Sequence, residues 1–248
     1  MAEEQPQGSW TQRAGEWLRE RTRLDDFVRV ISAAFLYEAL DERLSFQDAL
    51  NKALRKPVPK HALAHTWCVG GASLFVFGLQ VVTGILLSVY YKPSPDAAFE
   101  SVRQITTEMP FGWLIRQFHA WGAHVLVILV FIHMLKVFYN KAYRAPRELT
   151  WVSGALLMFV TLTFCFTGYL LPWNQLSYWA SKVGTEMAAS VPLVGEYLLH
   201  VVRGGENVTG LTLSRFFTVH ALVLPWVAAA LMVAHFALVR RLGISKPL

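Results

Sequence analysis

Two of the long charge-free stretches carry five histidines between them: His119, His124 and His133 in one, His220 and His235 in the other. A neutral imidazole is a strong metal ligand and can also relay protons. His119 and His133 are 14 residues apart, close to four helical turns at about 3.6 residues per turn. On a helix they share one face, roughly 21 Å apart along the axis. His220 and His235 are 15 residues apart, which turns the second ring about 60° further round an ideal helix. Pro225 lies between them. Proline removes a backbone hydrogen bond and distorts a helix, and such a distortion would bring the two rings back into line. His124 is out of phase with its neighbours and reads as a packing or lipid-edge residue. A solitary histidine in a membrane is more often a hydrogen-bonded structural residue, or part of a proton relay. Two pairs at matching depths point instead to two haem irons, each held by two axial imidazoles.

The elements that must carry these residues are legible in the charges. No Asp, Glu, Lys or Arg occurs in residues 61–91, 117–135, 149–181 or 216–239, runs of 31, 19, 33 and 24 residues. A helix needs about 20 apolar residues to cross the hydrocarbon core. Four membrane spans are therefore expected, at about 66–91, 114–138, 150–172 and 214–240. The second and fourth spans run in the same direction. His119 and His220 then lie at one depth, and His133 and His235 at the other.

The expected fold is all-α: an integral membrane four-helix bundle over residues 61–248, holding two stacked bis-histidine haems. Residues 1–60 form a separate, mixed-charge block. There Trp10, Trp17, Leu18 and Leu24 sit among Arg and Glu, the pattern of amphipathic helices lying at a membrane surface. Within the long connection between the third and fourth spans, residues 174–189 are the expected place for a further short helix. Charged residues make up 16% of the 248-residue chain, against about 25% in a soluble domain. That shortfall excludes a soluble enzyme, a disordered chain and a nucleic-acid binder, and two cysteines exclude a disulfide scaffold.

Orientation follows from the loops. Lys136, Lys141, Arg144 and Arg147 lie between the second and third spans, and Arg240, Arg241 and Lys246 at the C-terminus. The other two loops are acidic on balance. Basic loops stay on the cytoplasmic side. Residues 1–24 contain no apolar signal-peptide core, so both termini are expected in the cytoplasm.

Glycines supply an independent pattern. Gly70 and Gly84 on the first span, and Gly154 and Gly168 on the third, are again 14 residues apart. Glycine is disfavoured within helices by about 1 kcal/mol relative to alanine. The shared period suggests helix faces cleared for a haem plane; close helix–helix packing through small residues is the alternative. Arg116, one turn before His119, and Lys136, one turn after His133, are candidate partners for haem propionates or interfacial snorkelling residues. Arg240 joins them as a candidate cofactor-binding cation.

These segments resemble the cytochrome b family, in the split form whose N-terminal half is cytochrome b6. The resemblance covers roughly residues 58–248. It rests on FGWLIRQFHAWGAH (111–124) with His133, PRELTWVSG (146–154), TGYLLPWNQLSYWA (167–180), and SRFFTVHALVLPW (214–226) with His235 and GISKPL (243–248). It implies an electron-transfer subunit of a proton-translocating quinol oxidoreductase, in a bacterial plasma membrane or a thylakoid-type membrane. His119 and His220 would hold a low-potential haem b on the outer side. His133 and His235 would hold a high-potential haem b on the cytoplasmic side. Quinol would be oxidised near Gly168, Tyr169, Trp179 and Val183, and a second quinone site would lie on the cytoplasmic side. Implied partners are a Rieske iron–sulfur protein, a c-type cytochrome, membrane lipid and a second copy of the complex. The chain contains no PEWY motif, so a subunit-IV-like partner is expected to complete the quinol pocket.

Ala120 stands where cytochrome b6 proteins carry Arg, and Lys136 where Arg is usual. Residues 25–43 look like an insertion. Cys68, in CVGG (68–71), matches a family cysteine that attaches an additional c-type haem through one thioether bond. There is no C-x-x-C-H motif for two-bond attachment; a small hydrophobe is the other reading of Cys68. A dihaem membrane anchor of a dehydrogenase or hydrogenase, and a haem-free transporter, are the competing functions.

Overall fold

The computed structural model describes residues 68–245. The surface helices expected in residues 1–60 and the insertion at 25–43 lie outside the described residues. Those described belong to one compact unit and contain helices but no strand. Four helical segments are long and apolar enough to cross a membrane. They are α1 (Val69–Ser88), α3 (Gly112–Tyr139), α4 (Glu148–Leu170) and a composite fourth segment, Gly210–Leu242. That segment consists of α7 (Gly210–Thr218), one π-helical turn (Val219–Val223) and α8 (Leu224–Leu242).

The four spans fall close to their expected positions because the charges bound them. Glu148 opens α4 in its first turn, where a carboxylate complements the helix N-terminus. Arg240 and Arg241 close α8 in its last turn. Helix α1 packs along α3, and α4 along α8, while α3 against α4 joins the two hairpin-like pairs. Outward faces are apolar: Phe75, Phe159 and Trp226 are each at least 67% exposed, as suits a lipid-facing surface.

The connection between α4 and α7 holds α5 (Gln175–Ala189), close to the expected 174–189, and α6 (Gly195–Arg203). Asn174 caps α5 by accepting a hydrogen bond from the Ser177 amide at 2.9 Å. Two short helices were not anticipated: α6, and α2 (Ala98–Thr107) between α1 and α3. Helix α2 buries Ala98, Ser101 and Ile105, a spacing of one helical face. Its charged residues Glu100 and Arg103, paired on the exposed side, mask that short period in the sequence. The pairing holds the Glu100 carboxyl below its ordinary pKa.

The expected distortion of the fourth span is present and has a definite form. Pro225 has no amide proton to give to the Ala221 carbonyl. The chain widens by one residue, and the Leu224 amide donates to the Val219 carbonyl, five residues back. A π turn accommodates one surplus residue, so the 15-residue interval behaves as 14. Both histidine pairs then share the same four-turn period.

Deleting Ala221 should therefore convert the π turn to regular helix and keep His235 aligned with its partner. Deleting Ile128 from α3, where no π turn exists to absorb the change, should rotate His133 by about 100°. Reduced-minus-oxidised absorbance of membranes measures the outcome: haem bands kept in the first variant, and reduced by one haem in the second.

Candidate cofactor-binding site

The antiparallel pairing of α1 with α3 sets Gly84 beside His119 and Gly70 beside His133. The pairing of α4 with the composite fourth segment does the same for Gly168 with His220, on the π turn, and Gly154 with His235, on α8. A methyl group built on each glycine would have a histidine Cε1 as its nearest neighbour. The separations are 3.2 Å for Gly84–His119, 3.1 Å for Gly70–His133, 2.7 Å for Gly168–His220 and 3.4 Å for Gly154–His235. The expectation from the 14-residue period was a face cleared for a flat cofactor. The structure shows that the missing side chains first make room for the imidazoles themselves.

A second contact fixes three of the four rings. The residue before each glycine presents a hydroxyl to the ring nitrogen Nδ1: Thr83 to His119 at 2.9 Å, Ser153 to His235 at 2.9 Å and Thr167 to His220 at 3.0 Å. Each hydroxyl donates its own proton to a carbonyl one turn back. Thr83 donates to Leu79 at 2.7 Å, Thr167 to Thr163 at 2.7 Å and Ser153 to Thr150 at 2.9 Å. With its single proton committed, the hydroxyl oxygen can only accept from the ring. Nδ1 must then carry the hydrogen, and Nε2 keeps its lone pair for a metal.

The rings meet across the bundle. The centroids of His119 and His220 are 6.3 Å apart. Metal–imidazole bonds of about 2.0 Å on opposite faces of one ion, with each ring centre about 1 Å behind its nitrogen, require about 6 Å. His133 and His235 line a common, mostly apolar cavity with Gly70, Gly154 and Met134, and ligand sites are concave and apolar with a few convergent polar groups. Between the two levels lies an apolar layer of Val160, Leu224 and Ala228 with Phe77 and Phe164 packed against it. The residues fit two bis-imidazole irons at two depths.

The candidate cations are placed unevenly. Arg116 is half-buried on the turn before His119, Lys136 buries its Nζ one turn beyond His133, and Arg240 is exposed in the last turn of α8. Cys68 is exposed at the N-terminal cap of α1, two residues from Gly70. His124 is exposed beside Trp121, as its phase suggests.

The four residues grouped for quinol oxidation are not alike in the structure. Gly168 faces His220. Tyr169, Trp179 and Val183 are exposed, at 54%, 53% and 56%, with Trp179 and Val183 one turn apart on α5. That helix buries Ser177, Ser181 and Thr185 instead, and Ser177 donates to the Tyr169 carbonyl at 3.0 Å. Arg203, 4% exposed, locks α5 from its other end. It donates to Thr185 Oγ1 at 2.5 Å and the Lys182 carbonyl at 2.8 Å, while its own carbonyl accepts from Thr212.

Sequence reading missed Thr83, Ser153, Thr167 and Arg203. The first three had a signal: a hydroxyl residue directly precedes three of the four periodic glycines.

A membrane bundle that brings two pairs of histidines together at two depths, three of the four rings held by a hydroxyl, defines the class: a dihaem electron-transfer cytochrome. The cytochrome b/b6/petB family model matches residues 53–243. Cytochrome b6 of Heliobacterium mobile is 48% identical over 192 residues, covering 77% of this chain and 90% of that protein. A cytochrome bc complex cytochrome b subunit of Chlorobaculum thiosulfatiphilum is 49% identical over 193 residues, covering 78% of this chain and 45% of that one. A solved chain of a hyperthermophilic respiratory Complex III superimposes with a TM-score of 0.74 at 38% identity, over 85% of this chain and 56% of that chain. The chain spans about half the length of these last two. It belongs to the cytochrome b/b6 family, whose members carry b haems.

The glycine contacts grade the expected effects of alanine substitution. G154A, at an ordinary contact distance, should leave the spectrum intact. G168A places a methyl where the His220 ring stands and should remove or shift the haem at that level. Pyridine haemochrome quantification per polypeptide measures the difference.

Proposed function

We propose that this chain is the dihaem cytochrome b subunit of a bc/b6f-type quinol-oxidising complex and passes electrons between the two faces of a membrane. The observation that carries the reading is the pairing of His119 with His220 and of His133 with His235 at two depths in one bundle. Bound haem supplies a one-electron Fe(III)/Fe(II) couple at each level. The protein holds the rings, fixes the tautomers of three of them and keeps water out of the apolar layer between the levels. The basic loop after α3 and the basic end of α8 support a cytoplasmic position for the His133/His235 level. The other level then faces the outer side, next to α5.

Tyr169 lies exposed near the end of α4, and α5 presents an exposed apolar edge of Trp179 and Val183. That edge suits one wall of a quinol site that a subunit-IV-like chain and a Rieske protein complete, with a c-type cytochrome as the further acceptor. A cytoplasmic-side quinone site and assembly as a homodimeric complex belong to the same reading. Proton release outside and uptake inside would accompany this transfer. Cys68, exposed at the His133/His235 end, supports single-thioether attachment of a further haem: the thiol S–H adds across a vinyl group, with no leaving group.

Membranes containing the chain should show two overlapping b-type bands in reduced-minus-oxidised spectra. H119A should remove one and H133A the other. Absence of both bands from the unmodified protein would overturn the reading, and co-purification of a Rieske protein separates it from a dehydrogenase anchor. On a denaturing gel, haem-dependent peroxidase stain should co-migrate with the chain and disappear in C68A.

A further inference from the structure

The hydroxyl contacts are unequal at the two levels. At the His119/His220 level both rings donate to a hydroxyl, those of Thr83 and Thr167. At the other level only His235 does so, to Ser153. The place before Gly70 that corresponds to Thr83, Ser153 and Thr167 is occupied by Val69, which has no hydroxyl to offer His133. The place before the glycine is therefore a hydroxyl residue on three of the four occasions and Val69 on the fourth.

We propose that the hydroxyls of Thr83 and Thr167, against Val69 at the corresponding place, tune the two haem levels apart by lowering the potential at His119/His220. A ring whose Nδ1–H is held by an oxygen acceptor becomes a more basic ligand through Nε2. A more basic ligand favours Fe(III) over Fe(II) and so lowers the reduction potential; second-shell hydrogen bonds are among the protein's means of tuning haem iron. Two such contacts at one level and one at the other make the first level harder to reduce. The hydroxyl difference is built into the helices themselves and acts whatever charges surround the sites. Thr83 and Thr167 are positioning residues here, since they act through the histidines and do not touch the metal. This inference rests on the bis-histidine reading above.

The test is potentiometric measurement of the two b bands in membranes containing the full chain and its partners. V69T adds the missing acceptor at nearly constant shape. It should lower the potential of the His133/His235 haem, favouring the oxidised form by about tenfold, or about 59 mV for a one-electron couple. T83V and T167V should raise the potential of the other haem by a similar factor, and T83S should restore it. If T83V does not retain its haem, V69T and T83S decide the question, because neither removes a contact. Unshifted potentials in V69T and T83V, with both bands present, would overturn the proposal. A wild-type protein lacking two b bands would instead remove the reading on which it rests.

Discussion

An imidazole in hydrocarbon has two nitrogens to satisfy and no water to satisfy them. That requirement governs the design. At three of the four rings one nitrogen is met within the protein, by a hydroxyl that has already given its proton to a helix carbonyl. The other keeps its lone pair for a ligand. Leaving a buried polar group unmet costs on the order of 1–3 kcal/mol, and four such groups would strain a membrane bundle. The rings are tolerated because their environments make them ligands.

The geometry of the bundle follows from that need. The ring must approach the neighbouring helix closely enough for its Nδ1 to reach the hydroxyl. Glycine in the next position is what permits the approach, at Cβ separations down to 2.7 Å. Antiparallel helices then convert one period into two sites: a 14-residue glycine interval on α1 meets a 14-residue histidine interval on α3 in reverse order. Helices α4 and α8 repeat the device, but with 15 residues between the histidines. The π turn before Pro225 removes the mismatch. Proline and the surplus residue are thus two parts of one adjustment, and neither is a defect in the span.

Much of this was legible because a charged side chain in hydrocarbon is expensive. Charge-free runs gave four spans within a few residues, and the histidine intervals gave two depths. The Pro225 distortion was legible as an angular mismatch, although the sequence could not say that a π turn would absorb it. The hydroxyls were not recognised. Threonines and serines are frequent in membrane helices, and a role for Thr83 or Ser153 requires knowing which histidine comes opposite. Those partners are 36 and 82 residues away, so the relation exists only after helix pairing. Arg203 was hidden for a related reason. In the sequence it is one cation in a charged loop, yet folding buries it under α5, where three carbonyl and hydroxyl oxygens replace water.

The two helix pairs stand to each other as repeats in structure, although the sequence shows no repeat. Each contributes one glycine helix and one histidine helix, and each metal site takes one ring from each pair. Neither pair holds a complete site alone. A ligand that joins His119 to His220, or His133 to His235, therefore couples its own binding to the docking of one pair on the other. The core cluster that lies between the levels is small, with Val160, Leu224 and Ala228 at its centre. Packing there needs only to keep the levels apart and dry, because the histidine links above and below it hold the pairs in register. Function and assembly consequently place the same demand on the four rings: fixed depths and a separation that neither a lengthened nor a rotated helix can supply.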